Sequence, residues 1–272
     1  STKNETSATG FLSPKDNTAI SDNNAKREEW NFISVFGRIK YNYKHRYLAE
    51  LVGRRDGSSK FGKNNKYGFF PSASIGWVIS EESFLKDRKG ISFLKVRTSY
   101  GLTGNSNIPS YAQYNVFYKK ANAYNGQTIL FPDAASPSNP DLRWETNLTF
   151  DAAIEFGFLN DRISGELGVY NKDTRDMLLY ISAQNNTGFT NAWANVGRVN
   201  NRGIEFTLKS WIIDRKFKWN IDFNIARNVN ELKSLGDYTE DAVSGGTNDT
   251  RLVVGRPIGN NYLVQFSHID PQ

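Results

Sequence analysis

Along much of this chain, apolar and polar residues alternate one for one. From Phe217 the order Phe-Lys-Trp-Asn-Ile-Asp-Phe-Asn-Ile-Ala puts Phe217, Trp219, Ile221, Phe223 and Ile225 on one side. Lys218, Asn220, Asp222 and Asn224 fall on the other. From Trp144, one side carries Trp144, Leu148, Phe150, Ala152, Ile154 and Phe156, and the other Glu145, Asn147, Thr149, Asp151 and Glu155. Ile204, Phe206 and Leu208 alternate with Glu205, Thr207 and Lys209; Leu94, Val96 and Tyr100 with Lys95, Arg97 and Ser99; Ile163, Leu167 and Val169 with Ser164, Glu166 and Tyr170. A period of two is that of a strand, whose successive side chains leave opposite faces. Each run therefore predicts a strand with one apolar and one polar face.

The strands are long. Trp144 to Phe156 is 13 residues. At roughly 3.3 Å per residue it reaches about 43 Å, and tilted by about 45° it rises about 30 Å, the thickness of a bilayer's hydrocarbon core. Strands in soluble sandwiches run to about 5–6 residues. The connections alternate in length. Strands near 30–42 and 46–56 meet at Tyr43–His45, those near 143–157 and 162–173 at Phe158–Asp161, and those near 202–212 and 217–228 at Ile213–Lys216. Between the pairs lie longer polar segments, Gly57–Lys66, Gly104–Leu142, Thr174–Asn201 and Val229–Arg256. The link Ser80–Gly90 sits on the short-turn side but is longer, with room for a helical turn. Short turns at one end and long loops at the other are the pattern of outer-membrane barrels. Tyr41, Tyr43, Tyr47, Trp77, Phe93, Phe156, Phe158, Phe217 and Trp219 fall near the short-turn ends, where an aromatic girdle at a membrane interface would place them. The expected architecture is all-β: an antiparallel, up-and-down transmembrane barrel segment of about eight or nine strands, the last near Asn261–Phe266.

Composition narrows the alternatives. Aromatic residues make up 14% of the chain, and Gly, Asn, Ser and Thr are abundant, which favours strands and turns. No stretch approaches the roughly 20 apolar residues of a membrane helix; the longest, Met177–Ile181, is far shorter. Ser1–Glu29 is polar and has no apolar core of the signal-peptide kind. The net charge is +6, but Lys and Arg are interleaved with Asp and Glu, so a solvated surface is expected and not a nucleic-acid site. With no cysteine there is neither a disulfide framework nor thiolate chemistry.

Little in the chain points to catalysis. The histidines are His45, in a short turn, and His268, and neither has carboxylates at metal-ligand spacing. Asp151 shares a face with Glu155, and Glu205 lies near Lys209. A general acid and base would converge in that way, but polar residues lining a wet lumen alternate with lipid-facing ones in the same pattern. Lys95, Arg97, Asp151, Glu155, Glu205 and Asp222 are therefore the candidate lumen-facing charges. Arg54, Arg55 and Asp56 precede Gly57, which is expected to supply a turn. No Gly-x-Ser-x-Gly, phosphate loop or dinucleotide fingerprint appears, and no cofactor is expected. The long loops offer another kind of site. Gly104–Leu142 carries Tyr111, Tyr114, Phe117, Tyr118, Tyr124 and Phe131, rings that could stack on sugars, bury area at an interface or pack the loop on the wall. Trp193 and Tyr238 lie on neighbouring long loops.

Five segments resemble the SusC/RagA family of TonB-dependent transporters. They are Arg54-Arg-Asp-Gly-Ser-Ser-Lys-Phe-Gly62; Gly68-Phe-Phe-Pro-Ser-Ala-Ser-Ile-Gly-Trp77 with Ser80-Glu-Glu-Ser-Phe84; Leu94-Lys-Val-Arg-Thr-Ser-Tyr-Gly-Leu-Thr-Gly-Asn105; Asn139-Pro-Asp-Leu-Arg-Trp-Glu-Thr146; and Asn195-Val-Gly-Arg-Val-Asn-Asn-Arg-Gly-Ile-Glu-Phe206. They occur in the family's order, and the likeness spans roughly residues 30 to 260. The resemblance implies the C-terminal part of a 22-stranded outer-membrane barrel. It also implies a plug domain, a SusD-like surface lipoprotein as lid, oligosaccharide or peptide as substrate, and energy through TonB. Residues 1–272 are expected to be barrel throughout, with 1–29 an extracellular loop, no plug in this chain and no transport by this piece alone. The rival readings are a β-sandwich glycan-binding module, which would bury its apolar face and need no detergent, and an enzyme on a smaller closed barrel, which would need a nucleophile and base that the chain does not offer.

Overall fold

The computed structural model describes residues 29–261, apart from 87, 89, 115, 125–126, 183–188, 190 and 244–249. The loop expected at 1–29, save Glu29, and the strand expected near Asn261–Phe266, save Asn261, lie outside the described residues.

Period-two segments become long strands. They are β1 (Phe32–Tyr43), β2 (Tyr47–Ser58), β3 (Tyr67–Val78), β4 (Ile91–Asn105), β7 (Glu145–Phe158), β8 (Ile163–Arg175), β11 (Arg198–Asp214) and β12 (Lys218–Ser234). All eight form one antiparallel sheet in the order β1-β2-β3-β4-β7-β8-β11-β12, each strand beside its neighbour in this series. The long connections contain structure of their own. Hairpin β5 (Val116–Tyr124) with β6 (Gln127–Ser136) stands in the Gly104–Leu142 connection, and β9 (Leu178–Ser182) with β10 (Asn191–Asn195) in Thr174–Asn201. Both segments read as loops in the sequence, because β5 and β6 do not alternate cleanly and β9 and β10 are only five residues each. The link after β3 holds a helical turn at Ile79–Glu81.

The register assembles the two faces. One row runs Tyr43, Tyr47, Trp77, Val96, Ile154, Leu167, Phe206, Ile225 across all eight strands. A row on the opposite face runs Lys40, Glu50, Ser74, Ser99, Asp151, Tyr170, Gly203, Asn228. A one-residue slip in any strand would swap the two faces. The apolar row starts at the turn residue of β1 but meets β12 seven residues beyond Lys218. That stagger of one residue per strand, at ~3.3 Å rise and ~4.8 Å strand spacing, inclines the strands by about 35°, within the range of outer-membrane barrels.

The apolar face has no second layer. Val35, Ile39, Leu51, Ile75, Ile154 and Ile225 are all exposed. The buried core lies instead among the long loops, in a cluster of Phe61, Phe70, Ile108, Ala112, Leu142, Trp144 and Leu178, and in a second of Met177, Ile181, Ala194, Val196, Val199, Leu232 and Leu235. A sandwich would bury its apolar face against another sheet; this sheet leaves it to lipid. No helix among the described residues is long and apolar enough to cross a membrane. The crossing elements are strands.

The short turns are tight. Lys44 and His45 both have positive φ, 52° and 58°, and Arg46 N–H closes the turn on Tyr43 O at 3.0 Å. Such a turn matches the twist of its flanking strands. The Asn42 side chain accepts from His45 N–H at 3.0 Å, which gives the histidine a place in the turn. On the apolar face beside it, Tyr41, Tyr43, Tyr47 and Trp77 stack in sequence with centroids 6.4–6.5 Å apart. The polar tips of Tyr47 and Trp77 meet Glu82, from the Ser80–Phe84 segment. Tyr47 O–H donates to its carboxylate at 2.7 Å, Trp77 Nε1–H at 3.0 Å and Arg46 at 3.1 Å. These bonds, the tyrosine's first, hold the Glu82 carboxyl below its ordinary value.

Two expectations are corrected. Gly57 is the penultimate residue of β2 and makes no turn; a Cβ there would lie 2.5 Å from the Tyr67 ring opposite. Trp144 does not extend the lipid face. It precedes β7 and is buried in the loop core, because loop aromatics offer it a dry pocket above the membrane band.

Candidate functional site

Two features of the sheet can meet a solute: the polar face, and the cap of loops at its long-loop end. On the polar face, Arg97 of β4 occupies the centre of an ion network. Its guanidinium donates to Asp151 at 2.5 Å, to Glu155 at 3.1 Å and to Glu166 at 2.5 Å. Lys95 joins Glu155 at 2.9 Å. Glu155 and Glu166 stand directly opposite each other in register, an arrangement that repels unless a cation spans it. The planar fork of Arg is suited to that task, since it reaches several carboxylates at once. A few strands away Glu50 receives Arg38 at 2.9 Å and Lys40 at 3.5 Å.

Of the candidate lumen-facing charges, Lys95, Arg97, Asp151 and Glu155 thus form one cluster. Glu205 lies on the same face but has no ion pair among the described residues, and Asp222 meets Lys209 at 3.6 Å, away from the cluster. Sequence reasoning missed the part of the third strand, β8, in Glu166, although its alternation with Leu167 carried the signal.

The loop cap is where the recognisable segments converge. Phe61, Phe70 and Trp144 pack ring on ring, with Trp144 4.8 Å from Phe61 and 5.4 Å from Phe70. Phe70 points inward from β3, and a Cβ on Gly104 of β4 would come within 2.1 Å of its ring. Gly62 lets the first loop pass beneath Pro140, whose carbonyl oxygen would be 1.7 Å from an added Cβ. Only glycine permits these approaches. Polar side chains then stitch loop to loop. Trp144 Nε1–H donates to Lys66 O at 3.3 Å, Asn139 Nδ2–H to Trp193 O at 3.0 Å, and Asn195 Nδ2–H to Arg143 O at 2.7 Å, while Asn195 Oδ1 accepts from Arg143 N–H. Glu145 takes Asn105 Nδ2–H and Leu178 N–H. Arg143 pairs with Asp176 at 2.7 Å, which raises its pKa. Arg54 donates to buried Asp56 at 2.7 Å within β2, and Ser34 of β1 bonds the same carboxylate, so Asp56 ties β1 to β2.

The loop aromatics divide. Tyr111 and Tyr114 are exposed beside the first core cluster, Tyr111 at positive φ with its hydroxyl accepting from Glu29 N–H at 3.2 Å. Trp193 of β10 packs against that cluster and lies 5.3 Å from the exposed Tyr180, a neighbour not foreseen from the sequence. Tyr238 is exposed just beyond β12, apart from these. Phe117, Tyr118 and Tyr124 lie on β5 and Phe131 on β6; their side chains lie outside the described residues. Among the described residues no group of three His, Cys, Asp or Glu is placed to hold a metal ion.

Comparison with known proteins matches this arrangement. A model of the family described as TonB dependent receptor-like, beta-barrel, matches residues 2–265. The chain is 38% identical to TonB-dependent receptor P26 of Formosa agariphila over 84% of its own length and 24% of the relative's. It is 37% identical to TonB-dependent receptor SusC of Bacteroides thetaiotaomicron over 86% of its length and 23% of the relative's. The RagAB peptide transporter structure superposes with a TM-score of 0.78 at 26% identity, covering 89% of this chain and 26% of that one. The chain thus spans about a quarter of the length of these relatives. A lipid-facing sheet, a charged inner face and motif-built loops all agree with that match: the chain belongs to the TonB-dependent receptor β-barrel family, on its SusC/RagA side, and lies in the bacterial outer membrane.

Proposed function

We propose that this chain forms one wall and part of the mouth of an outer-membrane importer for oligosaccharides or peptides, working with a SusD-like surface lipoprotein and energised through TonB. The carrying observation is the pairing of an uncovered apolar face with a charged inner face in a sheet that matches SusC and the RagAB peptide transporter. In this reading residues 1–272 are the C-terminal part of the barrel. Lys95, Arg97, Asp151, Glu155, Glu205 and Asp222 line the passage. Tyr111, Tyr114, Phe117, Tyr118, Tyr124, Phe131, Trp193 and Tyr238 are the ring surfaces available to substrate or lid, since rings stack on sugar faces and anchor interfaces. The chain works by passage and not by chemistry, so no catalytic residue, cofactor or nucleic acid enters the account.

The test uses the full-length protein, extracted from outer membranes in mild detergent, with co-purifying species identified by mass spectrometry. A partner lipoprotein together with a bound oligosaccharide or peptide is the expected result, and it names the substrate class. Recovery in the soluble fraction without a partner would overturn the reading in favour of a glycan-binding sandwich.

A further inference from the structure

At the long-loop end of the lipid-facing side, the apolar pattern gives way to arginine. Along the outer face of β12 the order is Trp219, Ile221, Phe223, Ile225, then Arg227. On β11 it passes from Phe206 and Ile204 to Arg202 and Arg198, and on β8 from Leu167 and Val169 to Asn171 and Arg175. Arg227 stands opposite Ile204, and Arg202 opposite Val229, so the two arginines are diagonal neighbours on one face. Such neighbours lie about 7–8 Å apart at the backbone, a gap their long side chains can close around one anion.

The height of the pair decides what it meets. From Trp219, in the aromatic girdle, to Arg227 is eight residues, a rise of about 22 Å at the tilt derived above, against an apolar band ~25 Å tall. Arg202 and Arg227 therefore sit where hydrocarbon ends and headgroups begin, at the outer leaflet. Both are exposed, and among the described residues neither has a carboxylate within ion-pair distance. The acids nearby are already engaged. Asp173 is buried beneath Arg175 at 2.8 Å and Arg198 at 2.6 Å, and Glu231, diagonal to Arg202, holds Lys233 at 2.7 Å. The patch keeps an excess of positive charge facing outward.

We propose that Arg202 and Arg227, with Arg175 and Arg198 behind them, form a binding site for the phosphate of a phosphorylated outer-leaflet glycolipid. Guanidinium groups bind phosphate through paired, charge-assisted hydrogen bonds, and at this height only a lipid headgroup presents one continuously. The site fixes how the barrel sits among its lipids and is separate from the passage.

The test compares full-length wild type with the Arg202→Gln/Arg227→Gln variant. Lipopolysaccharide retained after detergent extraction is quantified, and thermal stability is read with added lipopolysaccharide, phosphatidylcholine or inorganic phosphate. The wild type is expected to retain several-fold more lipopolysaccharide and to be stabilised by it alone, with both effects lost in the variant and substrate uptake unchanged. Equal retention by the two proteins would overturn the proposal. So would equal stabilisation by inorganic phosphate, which would mean a free-anion site, and so would selective loss of the co-purifying lipoprotein in the variant, which would mean a protein-docking site.

Discussion

Replacing Arg97 by Gln removes the cation that three carboxylates share. In the folded barrel its guanidinium contacts Asp151, Glu155 and Glu166 at 2.5–3.1 Å, and all four side chains are between a quarter and two fifths exposed. In such wet surroundings each contact is worth about 0.2–1 kcal/mol. Exposing the directly opposed Glu155 and Glu166 to each other adds a repulsion of about 0.2–1 kcal/mol. The expected loss for Arg97→Gln is about 1–3 kcal/mol, with only Lys95 left to balance the cluster. Urea unfolding of the full-length protein in detergent, followed by the gel shift between folded and unfolded barrel, measures it. Removing one acid should then help: Arg97→Gln/Glu166→Gln is expected to lose less than the sum of the two single changes, because those residues are coupled. Raising the salt to 1 M shortens the screening length to ~3 Å and should shrink the difference. A wild-type midpoint for Arg97→Gln, or simple additivity in the double variant, would refute the network's role in holding this wall.

Other perturbations follow from the same geometry. Ile221→Arg or Phe223→Arg puts a charge on the lipid face and is expected to cost about 2–4 kcal/mol near the midplane, whereas Asn220→Arg points into the passage and should be mild in the same assay. Trp144→Ala empties the centre of the loop core and should cost about 3–5 kcal/mol, seen as faster proteolysis of the loops in intact cells while the barrel stays folded. Glu82 has its pKa held below the ordinary 4.5 by Tyr47, Trp77 and Arg46. Its contribution is therefore present above that value and lost as pH falls through the lower folded value. Glu82→Gln should flatten the acid limb of a stability–pH curve measured by thermal unfolding.

The faces of the sheet were readable from the sequence because period-two alternation is a local signal and register follows from it. Tyr47, Trp77, Val96 and Ile154 fall into one row as their alternation demands. The turn at Lys44–His45 was readable by position but only half by chemistry, since histidine is among the residues enriched at positive φ and lysine is not. The cap was not readable. Trp144 lies far along the chain from Phe61 and Phe70, and nothing local in it distinguishes a ring bound for lipid from one bound for a loop core. The segment motifs around them were visible as likeness, but their physical reason, glycines that clear a path for Phe70 and Pro140, needs the third dimension. Hairpins β5–β6 and β9–β10 escaped for local reasons: the first carries no clean alternation, and the strands of the second are only five residues each.

The central claim is that one face of this sheet meets lipid and the other meets water. The chain contributes no cysteine, so single cysteines can be placed in turn at residues 219 to 226 of the full-length protein and spin-labelled in lipid bilayers. Accessibility to oxygen, which partitions into lipid, and to a water-soluble nickel chelate is then read at each site. The account predicts two alternations of period two in opposite phase, with oxygen favoured at the odd positions and nickel at the even ones. Odd positions shielded from both reagents would mean that a second protein layer covers the apolar face, and would contradict it.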